Sequence, residues 1–239
     1  MELKPRPVPG FRFAGVSAGL KTQPETPDLG LIVAEHPVSA AGLFTTNRVK
    51  AAPVILAAER VRRGRLHAIV ANSGSANCFT GAAGLKLARH STAAVADEIG
   101  CAPELVAPCS TGVIGHLYDF DKFRAGARRA VDSLGEDRLE DFARAIMTTD
   151  TRPKMAATSI RLGGAAVTIA GAAKGAGMIS PRMATMLGFL VTDAALAPAV
   201  LRRALVAAIP LSFNAITIDG DMSTNDSLIV MASGAAYSP

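Results

Sequence analysis

Residues 157–172 read ATSIRLGGAAVTIAGA. Two alternating, β-branched runs meet at Gly163–Gly164. A Gly-Gly pair between such runs is a hairpin signal, because a tight two-residue turn needs positive φ at both positions. A hairpin here favours a mixed or antiparallel sheet over a pure βαβ array. Working outward, LIVAE (31–35), HAIVAN (67–72) and ELVAP (104–108) are short apolar runs of the kind that form buried strands. AITID (215–219) and SLIVMAS (227–233) read as closing strands.

Helical patterns alternate with these runs. Residues 84–100 form an amphipathic pattern with Leu85, Leu87, Ala88, Val95 and Ile99 on one face and Gly100 as the stop. Residues 121–147 are helical with a break near Ser133–Gly135, and the second half places Leu139, Phe142 and Ile146 on one stripe. Residues 197–209 form a helix with Pro198 in its first turn. The expected class is therefore α/β (α+β).

The chain of 239 residues is long enough to bury a substantial core. Hydrophobic residues make up 49% and charged residues 19%, which excludes a disordered chain. Trp is absent and aromatics are 5%, so the core must be mainly aliphatic. The net charge of +5 is spread out, and the basic runs at Arg60–Arg65 and Arg128–Arg129 lack interleaved aromatics. They read as solvated faces, not as a nucleic-acid site. A mild positive balance suits small anionic substrates.

Cys78, Cys101 and Cys109 have neither disulfide-framework nor zinc spacing and read as free thiols. No metal site is expected. The N-terminus lacks the apolar core of a signal peptide and no apolar run spans a bilayer, so a cytoplasmic protein is expected.

One hydroxyl stands out in KGAGMISPRMATMLGFLVTD (174–193). Thr185 follows Ala184, whose small side chain leaves its carbonyl sterically open. An N-to-O acyl shift followed by hydrolysis would cut the chain between them. It would leave Thr185 with an α-amine of pKa about 7.7–8.0, able to act as base for its own hydroxyl. Such a nucleophile needs no histidine, and the four present (His36, His67, His90, His116) pair with no evident nucleophile. The other reading is a β-branched strand residue.

Thr111–Gly112 within PCSTGVIGHL (108–117) could supply oxyanion donors, or form an ordinary strand-to-helix turn. The cluster Thr148–Thr151 is either a cap and turn or a set of substrate contacts. Asp219, Asp221, Asn225 and Asp226 form an Asx-turn cluster without EF-hand spacing. Lys174, flanked by small residues, is open to a ligand, and NSGSAN (72–77) is a polar glycine turn after a strand.

Five motifs in order, ANSGSANCFTG, STGVIG, MTTDT, KGAGMISPRMATMLGFLVTDA and SFNAITIDGDMSTND, resemble those of the ornithine acetyltransferases (glutamate N-acetyltransferases) of arginine biosynthesis. The resemblance runs over nearly the whole chain. It implies a layered α/β sandwich with mixed or antiparallel sheets, similar in logic to the N-terminal nucleophile hydrolases. It also implies self-cleavage at Ala184–Thr185, so that residues 1–184 form a first chain segment and 185–239 begin a second. Thr185 would carry acetyl from N-acetylornithine to glutamate, with Thr111 and Gly112 as the oxyanion pair and Thr148, Lys174 and Thr185 at substrate.

No cofactor is implied, although some members also take acetyl from acetyl-CoA. Cleaved chains assemble as heterotetramers. Members of this family are longer, and the C-terminal part they add supplies a glutamate, an asparagine and a hydroxyl residue near the nucleophile. Weak or no activity is therefore expected of these residues alone. The competing readings are a self-processing aminopeptidase or amidase with the same nucleophile, and an inactive remnant.

Overall fold

The structure is a computed structural model and describes residues 7–23, 25–178 and 186–236. Its strands are β1 (Phe11–Val16), β2 (Leu29–Phe44), β3 (Arg65–Ser75), β4 (Val106–Val113), β5 (Lys154–Leu162), β6 (Ala165–Lys174), β7 (Leu187–Ala194) and β8 (Ser227–Ala236). The helices are α1 (Ala52–Val61), α2 (Gly81–Ile99), α3 (Phe120–Asp132), α4 (Leu139–Ala145) and α5 (Pro198–Ala208).

All the strands join one mixed sheet in the order β4-β3-β2-β8-β7-β6-β5, with β1 paired to the first half of β2. Most neighbours are antiparallel, whereas β3–β4 and β7–β8 are parallel. The hairpin β5–β6 turns at Gly163 and Gly164, with φ of 56° and 86°, the conformation the Gly-Gly pair allows. The α/β class and the mixed sheet therefore match the expectation.

Alternation along β2 builds cores on both faces. Ile32, Ala34 and Ala40 join a cluster with Leu139, Phe142 and Ile146, the stripe read on the second half of 121–147. Leu29, Leu31 and Val33 join Val95, Phe123 and Ala127 from α2 and α3. Phe142 meets Phe189 of β7 edge to face, with ring centroids 5.1 Å apart, a geometry worth about 0.5–1.5 kcal/mol beyond its area burial. Leu201 and Leu205 of α5 pack on Leu228 and Val230 of β8. Helices on both sides of a sheet make this a layered α/β sandwich.

Several expectations need correction. AITID is not a strand: a 3-10 turn covers Phe213–Ala215, and Ile216 and Ile218 are exposed. Its alternation is real, but a strand needs a ladder partner, and β8 occupies the place between β2 and β7. In ELVAP, residues 104–105 belong to a 3-10 turn and the strand begins at Val106. The buried face of α2 runs through Gly84, Ala88, Ser91, Thr92, Val95 and Ala96, leaving Leu85, Leu87 and Ile99 at its margin. Small residues let that helix lie close, and the buried hydroxyls are satisfied by Tyr118 and by the Ala88 carbonyl.

Arg60 is not solvated but buried, donating to the Val106 carbonyl at 2.5 Å, and burial brings its guanidinium down to about 10. The three cysteines are free. Among the described residues, no helix is long and apolar enough to cross a membrane.

The sheet registers set which strand ends lie side by side. Leu29 lies opposite Asn72, Gly74 opposite Gly112, Phe44 opposite Ser227, Ser227 opposite Leu187, and Leu187 opposite Lys174. The C-terminal ends of β3 and β4 thus lie at the N-terminal end of β2, and the C-terminal end of β6 with the N-terminal ends of β7 and β8 at its C-terminal end; Lys174 bonding Thr111 and Asn225 bonding the Ser110 carbonyl bring the two sets together.

Candidate active site

A cavity of about 860 Å³ opens where these two sets of strand ends meet. It is lined by Thr111 and Gly112 from β4, by Gly74 and Ala76 at the end of β3, and by Thr148 and Thr149 after α4. Lys174 at the end of β6, Lys21 from the β1–β2 loop, and Ser223–Asn225 before β8 complete it. Four residues expected at the site, Thr111, Gly112, Thr148 and Lys174, are thus brought together. Ala184 and Thr185 lie outside the described residues. The chain on either side of them meets the site: Met178 lines the cavity, and the Met186 amide donates to Asp226 Oδ1 at 2.9 Å.

The backbone here is packed to contact. Gly112 has φ of 130°, and a Cβ on it would lie 2.4 Å from the carbonyl carbon of Gly74. Gly74 has φ of 108°, and a Cβ there would lie 2.7 Å from the Leu20 carbonyl oxygen. The β1–β2 loop, the end of β3 and the end of β4 therefore stack without room for side chains. Asn225 ties the next layer on, donating to the Ala76 carbonyl at 2.7 Å and the Ser110 carbonyl at 2.9 Å. The polar turn 72–77 is mostly internal bracing: Asn72 accepts from Ser110 and donates to the Ser75 carbonyl.

Lys174 is 7% exposed and its ammonium donates to Thr111 Oγ1 at 2.8 Å. Burial lowers its pKa, which Asp150 and Asp226 partly restore, while Lys154 and Lys21 push it down further. Asp150 lies beneath the cavity and accepts from Lys154, from the Gly175 amide at 2.9 Å and from the Thr148 amide at 3.4 Å. Burial would raise its pKa, but these donors and the charges of Lys154 and Lys174 outweigh it and hold the carboxyl below its usual range. The cluster 148–151 is thus a brace that also presents two threonines to the cavity.

Asp226 behaves in the opposite way. Burial pushes it up to about 8, with the Met186 amide, the nearby Ser223 hydroxyl and Lys174 offsetting part of the effect. Its Oδ2 is buried with no hydrogen-bond partner among the described residues. A neutral carboxyl beside Lys174 and the residue after Thr185 is what such an environment favours.

Sequence reasoning read 217–226 as an Asx-turn cluster and gave Asp226 no role. It missed Lys21 entirely, because a lysine in SAGLKTQ carries no local signal of where its loop will dock. Among the described residues, no cluster of three or more His, Cys, Asp or Glu is placed to hold a metal ion.

Arranged this way, the site offers a hydroxyl held by an ammonium, a glycine that admits close approach, and a cavity large enough for an amino acid. The arginine biosynthesis bifunctional protein ArgJ of Geobacter sulfurreducens is 52% identical over 232 residues, which are 97% of this chain and 59% of that protein. The chain thus spans under two thirds of the length of such relatives.

Ornithine acetyltransferase from Mycobacterium tuberculosis, solved in complex with ornithine, superposes with a TM-score of 0.66 at 38% identity, covering 75% of this chain and 93% of that one. An l-aminopeptidase d-ala-esterase/amidase from Ochrobactrum anthropi, described as a variant of the Ntn hydrolase fold, shares the fold alone. Its TM-score is 0.56 at 15% identity, over 95% of this chain and 72% of that one. The ArgJ family pattern matches residues 12–239, and with that span and the 52% relative the chain belongs to the ArgJ family.

Proposed function

We propose that the chain carries the acyl-transfer machinery of an arginine-biosynthetic acetyltransferase that moves acetyl from N-acetylornithine to glutamate. The observation that carries this reading is the convergence at one cavity. The Lys174–Thr111 pair and Gly112 lie where the chain flanking Ala184–Thr185 also arrives.

In the first reaction Thr185 Oγ attacks the Ala184 carbonyl carbon. The peptide C–N bond breaks, an ester forms, and the nitrogen becomes the Thr185 amine. Water then cleaves the ester, releasing the Ala184 carboxylate. Residues 1–184 and 185–239 belong thereafter to separate chains. In the second reaction Oγ, its proton taken by that amine, attacks the acetyl carbon of N-acetylornithine. The proton passes to the departing α-nitrogen, and ornithine leaves. The glutamate α-amine attacks the acetyl-threonine in turn and departs as N-acetylglutamate. No cofactor takes part, and acetyl-CoA serves as an alternative donor.

Each tetrahedral intermediate carries an oxyanion. Lys174 already donates to Thr111 Oγ1, so the Thr111 hydroxyl hydrogen is free to point away and donate to that oxyanion. An ammonium on the same oxygen polarises the hydroxyl and strengthens the bond it donates. Gly112 provides the close backbone approach that such a hole requires. The full-length enzyme is proposed to assemble as a heterotetramer of the two cleaved chains.

The test is intact-mass measurement of the wild type beside Thr185→Ala. The expected result is two fragments split after Ala184 in the first and one uncut chain in the second. An uncut wild type, or a cut Thr185→Ala, refutes the reading. A full-length relative carrying the same substitutions gives the transfer assay. N-acetylglutamate appearing when glutamate is added supports the transferase, whereas free acetate alone supports an amidase.

A further inference from the structure

The β1–β2 loop is built around a buried carboxylate. Asp28 is fully buried and accepts the amides of Ala18 and Leu20 at 2.6 Å each and of Lys21 at 3.0 Å. The Leu20 carbonyl is packed on Gly74, which is packed on Gly112. The backbone at Lys21 is thereby locked to the Thr111–Gly112 end of β4, and its half-buried side chain lines the same cavity.

Two ammonium groups thus share the cavity, Lys21 and Lys174, close enough that Lys21 lowers the pKa of Lys174. Neither makes an ion pair within 4.0 Å among the described residues. Lys21 donates to the Pro27 carbonyl at 2.9 Å and Lys174 to Thr111. Asp28 is committed to three backbone amides and Asp150 to Lys154 and two amides, while Asp219, which lines the cavity with Asp221, accepts the Met178 and Asp221 amides. A lysine has three N–H donors, so Lys21 keeps two for a ligand. Two ammonium groups facing one cavity repel each other, and an occupant that brings a carboxylate relieves that repulsion.

We propose that Lys21 is a specificity-determining residue that binds a carboxylate of the amino-acid ligand. The inference rests on the proposed acetyl transfer only for the identity of that amino acid. Either the α-carboxylate, common to glutamate and acetylornithine, or the side-chain carboxylate of glutamate presents this chemistry.

The experiment measures binding, so it does not depend on turnover. Glutamate is titrated calorimetrically into the Thr185→Ala chain, which carries no nucleophile, and into the same chain with Lys21→Met or Lys21→Arg. Lys21→Met is expected to weaken glutamate about tenfold or more, the scale of a lost charge-assisted hydrogen bond. Lys21→Arg is expected to restore most of it, with melting temperatures unchanged. Glutamine weakened as much as glutamate assigns Lys21 to the α-carboxylate; 4-aminobutyrate weakened instead assigns it to the side chain.

Unchanged glutamate affinity in Lys21→Met overturns the proposal. So does a parent chain that binds no glutamate in the millimolar range, or that binds putrescine, which has no carboxylate, as tightly. Lys21-dependent glutamate binding together with no acetyl transfer by a full-length relative that keeps its threonine would sink the proposed reaction and leave this inference standing.

Discussion

Lys174 Nζ lies 2.8 Å from Thr111 Oγ1, joining the end of β6 to the end of β4 across the cavity. The two residues are 63 positions apart in sequence. If the ammonium acts through the hydroxyl, the two side chains form one unit. Thr111→Val and Lys174→Met should each slow acetyl transfer in the full-length protein by about 10²–10³, as for loss of one oxyanion donor. The double variant should be little slower than either single one. Turnover of the three variants checks this, and additive losses would show that the two residues act independently.

Gly112 should not tolerate a side chain. Gly112→Ala places a Cβ at positive φ and 2.4 Å from the Gly74 carbonyl carbon. Backbone strain and overpacking together cost about 3 kcal/mol, which for a chain of this size lowers the melting temperature by about 6–12 °C. A thermal melt followed by circular dichroism measures it.

Asp226 makes stability depend on pH in an unusual direction. Its folded pKa, raised to about 8, lies above the ordinary value of 3.8. Between these values the folded state keeps a proton that the unfolded chain has lost. Its contribution is therefore largest at low pH and falls as pH rises from about 4 to about 8. Asp226→Asn keeps an acceptor for the Met186 amide and removes the titration. Urea midpoints at pH 5 and pH 8 should converge in this variant relative to wild type.

The edge-to-face pair Phe142–Phe189 joins α4 to the sheet beneath the site, and both rings are buried. Phe142→Ala should cost about 3–5 kcal/mol. Denaturant unfolding should show a lower midpoint with an unchanged slope.

Much of the fold was legible from local pattern. The Gly163–Gly164 hairpin, the Leu139–Phe142–Ile146 stripe and the α5 start at Pro198 are set by turn conformation, helical period and proline geometry. β1, α1 and β7 were not anticipated, and AITID was misread, because a short apolar run becomes a strand only if a neighbour offers its ladder. The Thr-Gly pair and Lys174 were legible as candidates from residue type and spacing. Arg60 was not, because its run looks solvated until α1 packs its guanidinium against the Val106 carbonyl.

Residue order alone settled the alternation of strands and helices, the mixed sheet and the small set of side chains able to do acyl chemistry. Turns, helical periods and side-chain chemistry act within a few residues of one another. Only the folded arrangement set Lys21, Lys174 and Thr111 around one cavity with Asp226 beside it, and only burial there shifted the ionisation of the two lysines and of Asp226. Both depend on strand order and on distance from water, which no short stretch of chain contains.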